Sequence, residues 1–359
     1  MLSYFTGHGL LWAVINASSL LSAGFVRGYP EQTPLPRKDA GFTNYFGATI
    51  FIGYMIAALI LTGLIIQSLR NSYDEVTTKH RGRVLNHGLL CAYIGAASLS
   101  FAVLSYTMLS FLIASYQEWC HDRNVIVSTL STIDLISSIW HWTISSTLFL
   151  DFARSLCSTQ ANYYWVMQAL LGTMITNITM SSAGQRYAVP NLQYYFLIGQ
   201  ILPISFAANL FSVATVIAQS RPKSEIDERR AKTAACWLPT PTLIPILIAY
   251  RLILELLPRR ASSANFIMLV GATRLLLYLT SLVRFPANWA FEKQYERAHL
   301  ASTLGSVAVL GSASLLAAVG SFDISLSHAG ENPAVAALGI DYMMLLSTLA
   351  LLPRFSGTT

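Results

Sequence analysis

The chain has 359 residues, of which 54% are hydrophobic and 11% are charged, and its mean hydropathy is +0.51. Soluble globular proteins carry charge on about 25% of their residues, and disordered chains combine low hydrophobicity with high charge, so the composition excludes both classes. The net charge of +6 would indicate nucleic acid in a soluble chain. Here the basic residues lie mainly between apolar segments, where they orient membrane proteins, so we expect no nucleic-acid partner.

Apolar segments recur along the whole chain. Four uncharged stretches are 29 to 34 residues long, whereas a helix crosses the hydrocarbon with about 20 mostly apolar residues. We predict an all-α fold, a polytopic transmembrane helical bundle of about 8–10 spans, with residues 1–359 in a single integral membrane domain and no separate soluble domain. The ten candidate spans are 9–26, 46–67, 88–116, 126–151, 163–182, 192–218, 237–257, 264–283, 302–320 and 333–352.

Some of these spans have alternatives. The first ends on Ser22-Ala23-Gly24, which also resembles the cleavage site of a signal peptide. The segments 264–283 and 302–320 are alternatively interfacial helices. Proline disfavours a helix interior, so the sixth span can break at Pro203 and the seventh at Pro239, Pro241 or Pro245.

Lysine and arginine counts orient the bundle. With ten spans, the loops on the side of the N-terminus hold 14 of these residues and the opposite loops hold 7. Positively charged loops stay in the cytoplasm, so we expect both termini to be cytoplasmic.

The fourth span, 126–151, is the richest in polar side chains. Asp134 and His141 are seven residues apart, which places them about 20° apart around a helix. A charge at the bilayer centre costs at least ~2.5 kcal/mol, so we expect their shared face to look into the bundle or a wet cavity. Asp151 lies near the end of the span, with Arg154 three residues later. The structural alternatives are a hydrogen-bonded acid, a packing histidine and an interfacial ion pair of Asp151 with Arg154.

Other charged residues also fall inside predicted spans. Arg251 and Glu255 are four residues apart and can neutralise each other. Arg274 stands alone in the middle of a span, where it can pair with Glu255 or bind an anionic group of a ligand. Asp341 lies in the middle of the last span without a local partner, which makes it a candidate functional acid.

A titratable cluster and a set of aromatic residues complete the candidates. Glu118 and Asp122 lie in the run Glu118–Arg123, directly after the third span. At the mouth of a cavity this run could supply an acid of tuned pKa; the alternative is a solvated loop. The aromatic candidates, which either form an interfacial belt or line a pocket that stabilises a carbocation, include Trp140, Trp142, Tyr164 and Trp165.

Several cofactor signatures are absent from the sequence. It has no GxxxxGK[ST] or HExxH motif, no aspartate-rich signature that would hold Mg²⁺ on a diphosphate, and no four-Cys or His-rich cluster. Its four cysteines are scattered, which is typical of inert packing residues. We expect no metal site and no cofactor.

Three segments of the chain resemble a known family: 44–49, 140–154 and 191–206. They read Asn44-Tyr45-Phe46-Gly47-Ala48-Thr49, Trp140-His141-Trp142-Thr143 running to Asp151-Phe152-Ala153-Arg154, and NLQYYFLIGQILPISF. These segments are similar to fungal multispan membrane proteins, in particular the membrane-bound terpene cyclases of meroterpenoid pathways of the ascofuranone and macrophorin type.

The resemblance implies a cofactor-free cyclase of the endoplasmic reticulum membrane that acts on a lipophilic prenylated aromatic or quinone, often with a terminal epoxide. An acidic residue would protonate the epoxide or an alkene, and internal alkenes would then attack in sequence. From placement alone we expect Asp134 or Asp151 to be the acid, followed by Glu118 and Asp122. The residues expected to contact the substrate are Trp140, His141, Trp142, Tyr164, Trp165 and Arg274.

Two alternatives to an enzyme stay open. A multispan transporter, such as a proton-coupled carrier of a small lipophilic or anionic solute, suits Asp134, His141, Arg274 and Asp341 equally well. A scaffold subunit would use its buried polar groups only to lock helix packing.

Overall fold

The structure, a computed structural model, describes residues 45–79, 85–126, 131–222, 238–263, 265–283 and 333–351, together with residues 224, 226 and 228. The predicted spans 9–26 and 302–320 lie outside the described residues. Within these ranges the regular structure is helical and contains no β-strand. The helices are α1 (Tyr45–Lys79), α2 (His87–Asp122), α3 (Thr132–Ser145), α4 (Leu148–Leu156), α5 (Gln160–Arg186), α6 (Leu192–Ile201), α7 (Ile204–Gln219), α8 (Leu243–Arg259), α9 (Phe266–Ser281) and α10 (Pro333–Leu351).

The first two helices are long and apolar enough to cross a membrane. They contain the predicted spans 46–67 and 88–116, and they have 35 and 36 residues. Only 11% of the most apolar window of α1 and 28% of that of α2 are buried, and Leu59 and Tyr106 are each 72% exposed. A helix from the core of a soluble protein would bury most of such a window. Most of the apolar surface of both helices is therefore not covered by the described residues.

Helix α1 is longer than a bilayer core requires. At 1.5 Å per residue it measures about 52 Å, whereas the hydrocarbon is about 30 Å thick. Its last turns are polar, and Glu75 accepts hydrogen bonds from Lys79 (3.1 Å) and from the buried Arg221 (3.3 Å). This contact ties the end of α1 to the segment that follows α7.

The prediction of one continuous fourth span over 126–151 is wrong. Residues 131–156 form two helices, α3 and α4, and Ser146 between them has an extended backbone. Hydroxyl groups compete for local hydrogen bonds there: Ser145 donates to the carbonyl of His141 (2.6 Å), and Thr147 donates to the Asp151 carboxylate (2.8 Å). The 14 residues of α3 reach only about 21 Å, so α3 alone is too short to span a bilayer.

The sixth predicted span also consists of two helices. Leu202 and Pro203 separate α6 from α7, which confirms that Pro203 can break this span. The seventh begins later than predicted, because the proline-rich segment before Leu243 forms a short 3₁₀ turn, Thr240–Thr242. The segment 264–283 is helical as α9, and α10 covers most of 333–352.

Helix α7 lies at the centre of the described bundle. Every residue from Ile204 to Ala218 is buried, and the helix packs against α1, α2, α5, α6 and α10. On its side, Asn209 donates from Nδ2 to the Thr348 hydroxyl on α10 (3.1 Å). The break at Pro203 therefore places the first turn of α7 inside the bundle, rather than at its surface.

The contact between α5 and α10 depends on a glycine. A Cβ atom added at Gly172 would lie 2.7 Å from Cε2 of Tyr342, a buried residue of α10. At Gly95 on α2 an added Cβ would meet nothing within 4 Å.

We therefore expect Gly172→Ala to lower the free energy of unfolding by about 1–3 kcal/mol, which is typical of overpacking. Gly95→Ala is the matched control, and it should be neutral or slightly stabilising because alanine favours a helix. Thermal unfolding of the detergent-solubilised protein measures both. Equal stability of the two variants would contradict the close approach of α5 and α10.

Candidate functional site

Asp134 lies on the surface of α3, in its first turn. The Ser131 hydroxyl donates to its carboxylate (2.7 Å) and accepts from its backbone N–H (3.3 Å), which is a helix-capping arrangement. His141 is exposed as well. The face that these two residues share does not pack into the described bundle, because the buried residues of α3 are Trp142 and Ile144.

Glu118 and Asp122 are exposed too, and they belong to the last turns of α2 rather than to a loop. Asp122 lies 3.9 Å from Nδ1 of His121, while the Arg123 guanidinium sits over the Trp119 ring at 4.9 Å. Nothing in these contacts encloses the two carboxylates.

Asp151 differs from the other predicted acids because it is partly buried. It lies in the first turn of α4, and its Oδ2 accepts the hydrogen bond from the Thr147 hydroxyl at 2.8 Å. The expected ion pair with Arg154 does not form: Arg154 instead donates from Nε to the carbonyl of Ala261 (3.3 Å). Asp151 therefore has no cation bound to it in the described part of the chain.

Two phenylalanines close to Asp151 in the sequence, Phe149 and Phe152, pack α4 against the two long helices. The Phe149 ring packs edge-on against Phe51 and Tyr54 of α1, with centroids 6.1 and 5.8 Å apart. The Phe152 ring meets Phe111 of α2 in the same way at 5.2 Å. The acid consequently lies on a short helix that two long helices contact through aromatic side chains.

The predicted aromatic candidates occupy different environments. Trp142 is buried and packs edge-on against Tyr116 at 5.7 Å, and its indole N–H has no hydrogen-bond partner among the described residues. Trp165 is buried in α5, whereas Trp140 is 48% exposed. The side chain of Tyr164 lies outside the described part of the structure.

The most buried acid of the described residues is Asp341 on α10. Its two carboxylate oxygens accept hydrogen bonds from the backbone N–H groups of Ile204 and Ser205, both at 2.9 Å. These are the first two residues of α7, so the carboxylate satisfies donors at a helix N-terminus that would otherwise be unpaired. The sequence shows the acid, but not its partners, which lie 137 and 136 residues away.

Arg274 is partly buried in the middle of α9. The alternative pairing with Glu255 does not occur, because Glu255 binds Arg251 at 2.7 Å. Arg274 lies within electrostatic range of Asp341, Tyr54 and Tyr250, yet it makes no hydrogen bond or ion pair with a described residue.

A polar cleft of about 480 Å³ lies near the end of α1, away from all the predicted acids. Its lining residues are Ser68, Asn71, Ser72, Glu75, Lys79, Pro190 and Asn191. As for a metal, the described residues contain no group of three His, Cys, Asp or Glu side chains that could hold an ion.

Comparisons with protein-family models, with curated proteins and with solved structures returned no match. The resemblance to membrane-bound terpene cyclases therefore stays a prediction from the sequence.

The role of Asp341 can be tested through stability. Asp341→Ala removes the acceptor of two buried N–H groups. Because hydrogen bonds to charged groups contribute about 1.5–3 kcal/mol each, we expect the free energy of unfolding to fall by more than about 2 kcal/mol. Asp134→Ala, the control, removes an exposed cap and should cost about 1 kcal/mol or less. Denaturant titration followed by near-UV circular dichroism compares them; equal losses would contradict the buried cap.

Cys157 offers a test of burial between α4 and α5. Burial raises the pKa of its thiol to about 12, so at pH 8 roughly 1 in 10,000 molecules carries the reactive thiolate. We expect N-ethylmaleimide to leave Cys157 unmodified in the folded protein and to label it after denaturation, as read by peptide mass spectrometry. Labelling of the folded protein at equal speed would contradict this packing.

Proposed function

We propose that the protein is a multi-pass membrane enzyme that cyclises a lipophilic prenylated substrate by acid initiation, and that Asp151 supplies the proton. The substrate is a prenylated aromatic or quinone carrying a terminal epoxide or alkene, and the reaction belongs to meroterpenoid biosynthesis in the endoplasmic reticulum membrane. The observation that supports the proposal is the partly buried Asp151 carboxyl, which has no paired cation among the described residues and lies on a helix whose Phe149 and Phe152 pack against α1 and α2.

The surface of the helices supports a membrane location. The apolar sides of α1 and α2 are exposed, and contiguous apolar surface of this size is unfavourable in water. The bundle also contains shorter apolar helices, Ile204–Gln219, Phe266–Ser281 and Pro333–Thr348. A substrate dissolved in the bilayer can then enter from the side, between helices.

The Asp151 carboxyl suits general acid catalysis. A protonated carboxyl has a carbonyl oxygen, which can accept from the Thr147 hydroxyl, and a hydroxyl, which can donate to a substrate oxygen. Proton transfer to the epoxide oxygen would break a C–O bond, an internal alkene would attack the carbon, and the final cation would return a proton to the carboxylate.

Aromatic rings stabilise such a cation through their faces, and an apolar surround keeps out the water that would quench it. Phe149 and Phe152, the neighbours of Asp151 on α4, bring Phe51, Tyr54 and Phe111 to this part of the bundle. The buried Trp142 of α3 packs against Tyr116 of α2.

The experiment is a comparison of two acids in microsomes. A farnesylated aromatic epoxide is supplied, and cyclised product is followed by mass spectrometry. General acids accelerate a reaction by about 10²–10⁴-fold, so we expect the turnover of Asp151→Asn to be at least about 100-fold lower than that of the wild type. Asp134→Asn, which alters an exposed cap, should retain wild-type turnover.

Expression levels and size-exclusion profiles control for folding of both variants. Thr147→Val replaces the hydroxyl that donates to the Asp151 carboxyl with a methyl group, and we expect turnover to fall several-fold. Undiminished turnover of a folded Asp151→Asn variant would rule out Asp151 as the acid.

A carrier is the second candidate, and the break between α6 and α7 favours it. Discontinuous helices with their termini inside the bundle form the binding sites of many transporters, and here Asp341 meets such a terminus. Proton-dependent uptake of a radiolabelled farnesylated aromatic acid into proteoliposomes, without any cyclised product from the epoxide, would favour the carrier over the cyclase.

A further inference from the structure

We propose that the polar cleft near the end of α1 binds the phosphate head group of a membrane phospholipid. The cleft has a volume of about 480 Å³, which lies within the range of about 300–1,000 Å³ that ligand pockets occupy. Asp151 is not among its lining residues. The proposal therefore goes beyond the proposed function and takes from it only the location in a membrane.

One face of α1 changes from apolar to polar where the helix reaches the cleft. A ridge of residues at intervals of four runs along this face: Ile60, Leu64, Ser68 and Ser72. The first two are 57% and 37% exposed, and the last two line the cleft. A phospholipid has the same order, with hydrocarbon chains next to a phosphate. In the proposed membrane, its chains can lie along the apolar part of the ridge while its head group enters the cleft.

The Ser72 hydroxyl is the feature that points to a ligand. Ser72 is only 8% exposed and lines the cleft, and its hydroxyl has no hydrogen-bond partner among the described residues. By contrast, the Thr62 and Thr78 hydroxyls on the same helix donate to backbone carbonyls one turn earlier, at 2.7 and 2.6 Å. Because buried polar groups are normally paired, the Ser72 hydroxyl is available to a molecule in the cleft.

The start of α6 borders the cleft and favours a negative charge there. Asn191, the N-cap residue of α6, lines the cleft, but its side chain makes no capping hydrogen bond to α6. It donates instead from Nδ2 to the Ser68 hydroxyl on α1, at 3.2 Å. The N-terminus of a helix carries about half a positive charge, and its backbone N–H groups are suited to a phosphate.

The cationic side of the cleft also favours a phosphate. Lys79 and Arg221 both bind Glu75, through Oε1 at 3.1 Å and Oε2 at 3.3 Å, so two cations compensate one carboxylate. The Lys79 ammonium is 65% exposed and has three hydrogen atoms to donate, of which the bond to Glu75 uses one. It can therefore also donate to a phosphate oxygen. The Asn71 amide, which lines the cleft as well, adds a further donor.

The experiment compares a whole lipid with its two halves. The probes are dioctanoyl phosphatidylglycerol, dioctanoylglycerol, which lacks the phosphate, and glycerol phosphate, which lacks the chains. Native mass spectrometry of the purified, lipid-free full-length protein in a neutral detergent measures the bound fraction. We expect phosphatidylglycerol to bind at least about tenfold more tightly than dioctanoylglycerol, because only the former presents an anion to the donors of the cleft. Glycerol phosphate at the same concentration should displace little of the lipid, since it has no chains to bury.

Variants of the cleft locate the binding site. Ser72→Ala removes the hydroxyl donor, and Lys79→Gln removes the ammonium but leaves Glu75 bound to Arg221. We expect each to weaken phosphatidylglycerol binding by about 3- to 10-fold. Arg70→Gln is the matched control for charge, because Arg70 is exposed on the same helix and does not line the cleft. It should change binding by less than about twofold.

Ser98→Ala is the control for the loss of a hydroxyl, since Ser98 lies on the exposed side of α2 and donates to the carbonyl of Ile94. It should bind phosphatidylglycerol like the wild type. Size-exclusion profiles establish that all four variants are folded.

Several results would overturn the inference: equal binding of dioctanoylglycerol, full displacement of the lipid by glycerol phosphate, unchanged binding in folded Ser72→Ala or Lys79→Gln, or an equal loss in Arg70→Gln. The proposed function fails separately, because these measurements involve no turnover. Phosphatidylglycerol binding that depends on Ser72 and Lys79, in a protein that makes no cyclised product from the farnesylated epoxide, would keep the lipid site and remove the cyclase.

Discussion

The described bundle depends on one capping interaction, that between the Asp341 carboxylate and the start of α7. A helix that begins inside an apolar bundle leaves backbone N–H groups without water or partners, and Pro203 forces such a beginning at Ile204. Asp341 accepts from two of these groups. Because α7 is buried along nearly its whole length, its position fixes that of the helices around it. Because Asp341 belongs to α10, the last described helix stabilises the start of α7 in the middle of the chain.

The positions of most described helices can be predicted from hydropathy. Where helices differ from the predicted spans, the cause is local. The apolar runs predicted α1 and α2, but not their polar extensions, because residues such as Thr77 and Lys79 continue a helix by bonding within it. Hydropathy does not predict the division of 126–151, because it does not register the hydroxyl run Ser145–Thr147, which redirects hydrogen bonds locally. The break at Pro203, by contrast, can be predicted from the sequence, because proline lacks a backbone N–H and does not fit a helix interior.

The candidate site was less predictable, because burial depends on which helices meet. Asp134 has the spacing Ser131-x-x-Asp134 of a helix cap, and this signal could have indicated its exposed position. Asp151 and Asp341 look alike in sequence, as acids within apolar segments. Only the fold separates a carboxyl that accepts a hydrogen bond from the nearby Thr147 hydroxyl from one that accepts from backbone N–H groups over 130 residues away.

In the membrane that we propose for this protein, the contacts at the end of α1 make its tilt depend on the thickness of the bilayer. The Glu75–Arg221 pair and the hydrogen bond from Asn191 to Ser68 (3.2 Å) hold the polar turns of α1 against the segments that border α7 and α6. In a thinner bilayer a long apolar helix accommodates by tilting, and a helix held at one end tilts about that end. In the proposed membrane, a change in the tilt of α1 would therefore be felt at Tyr54 and, through its hydrogen bond to the Ile201 carbonyl, at the break between α6 and α7.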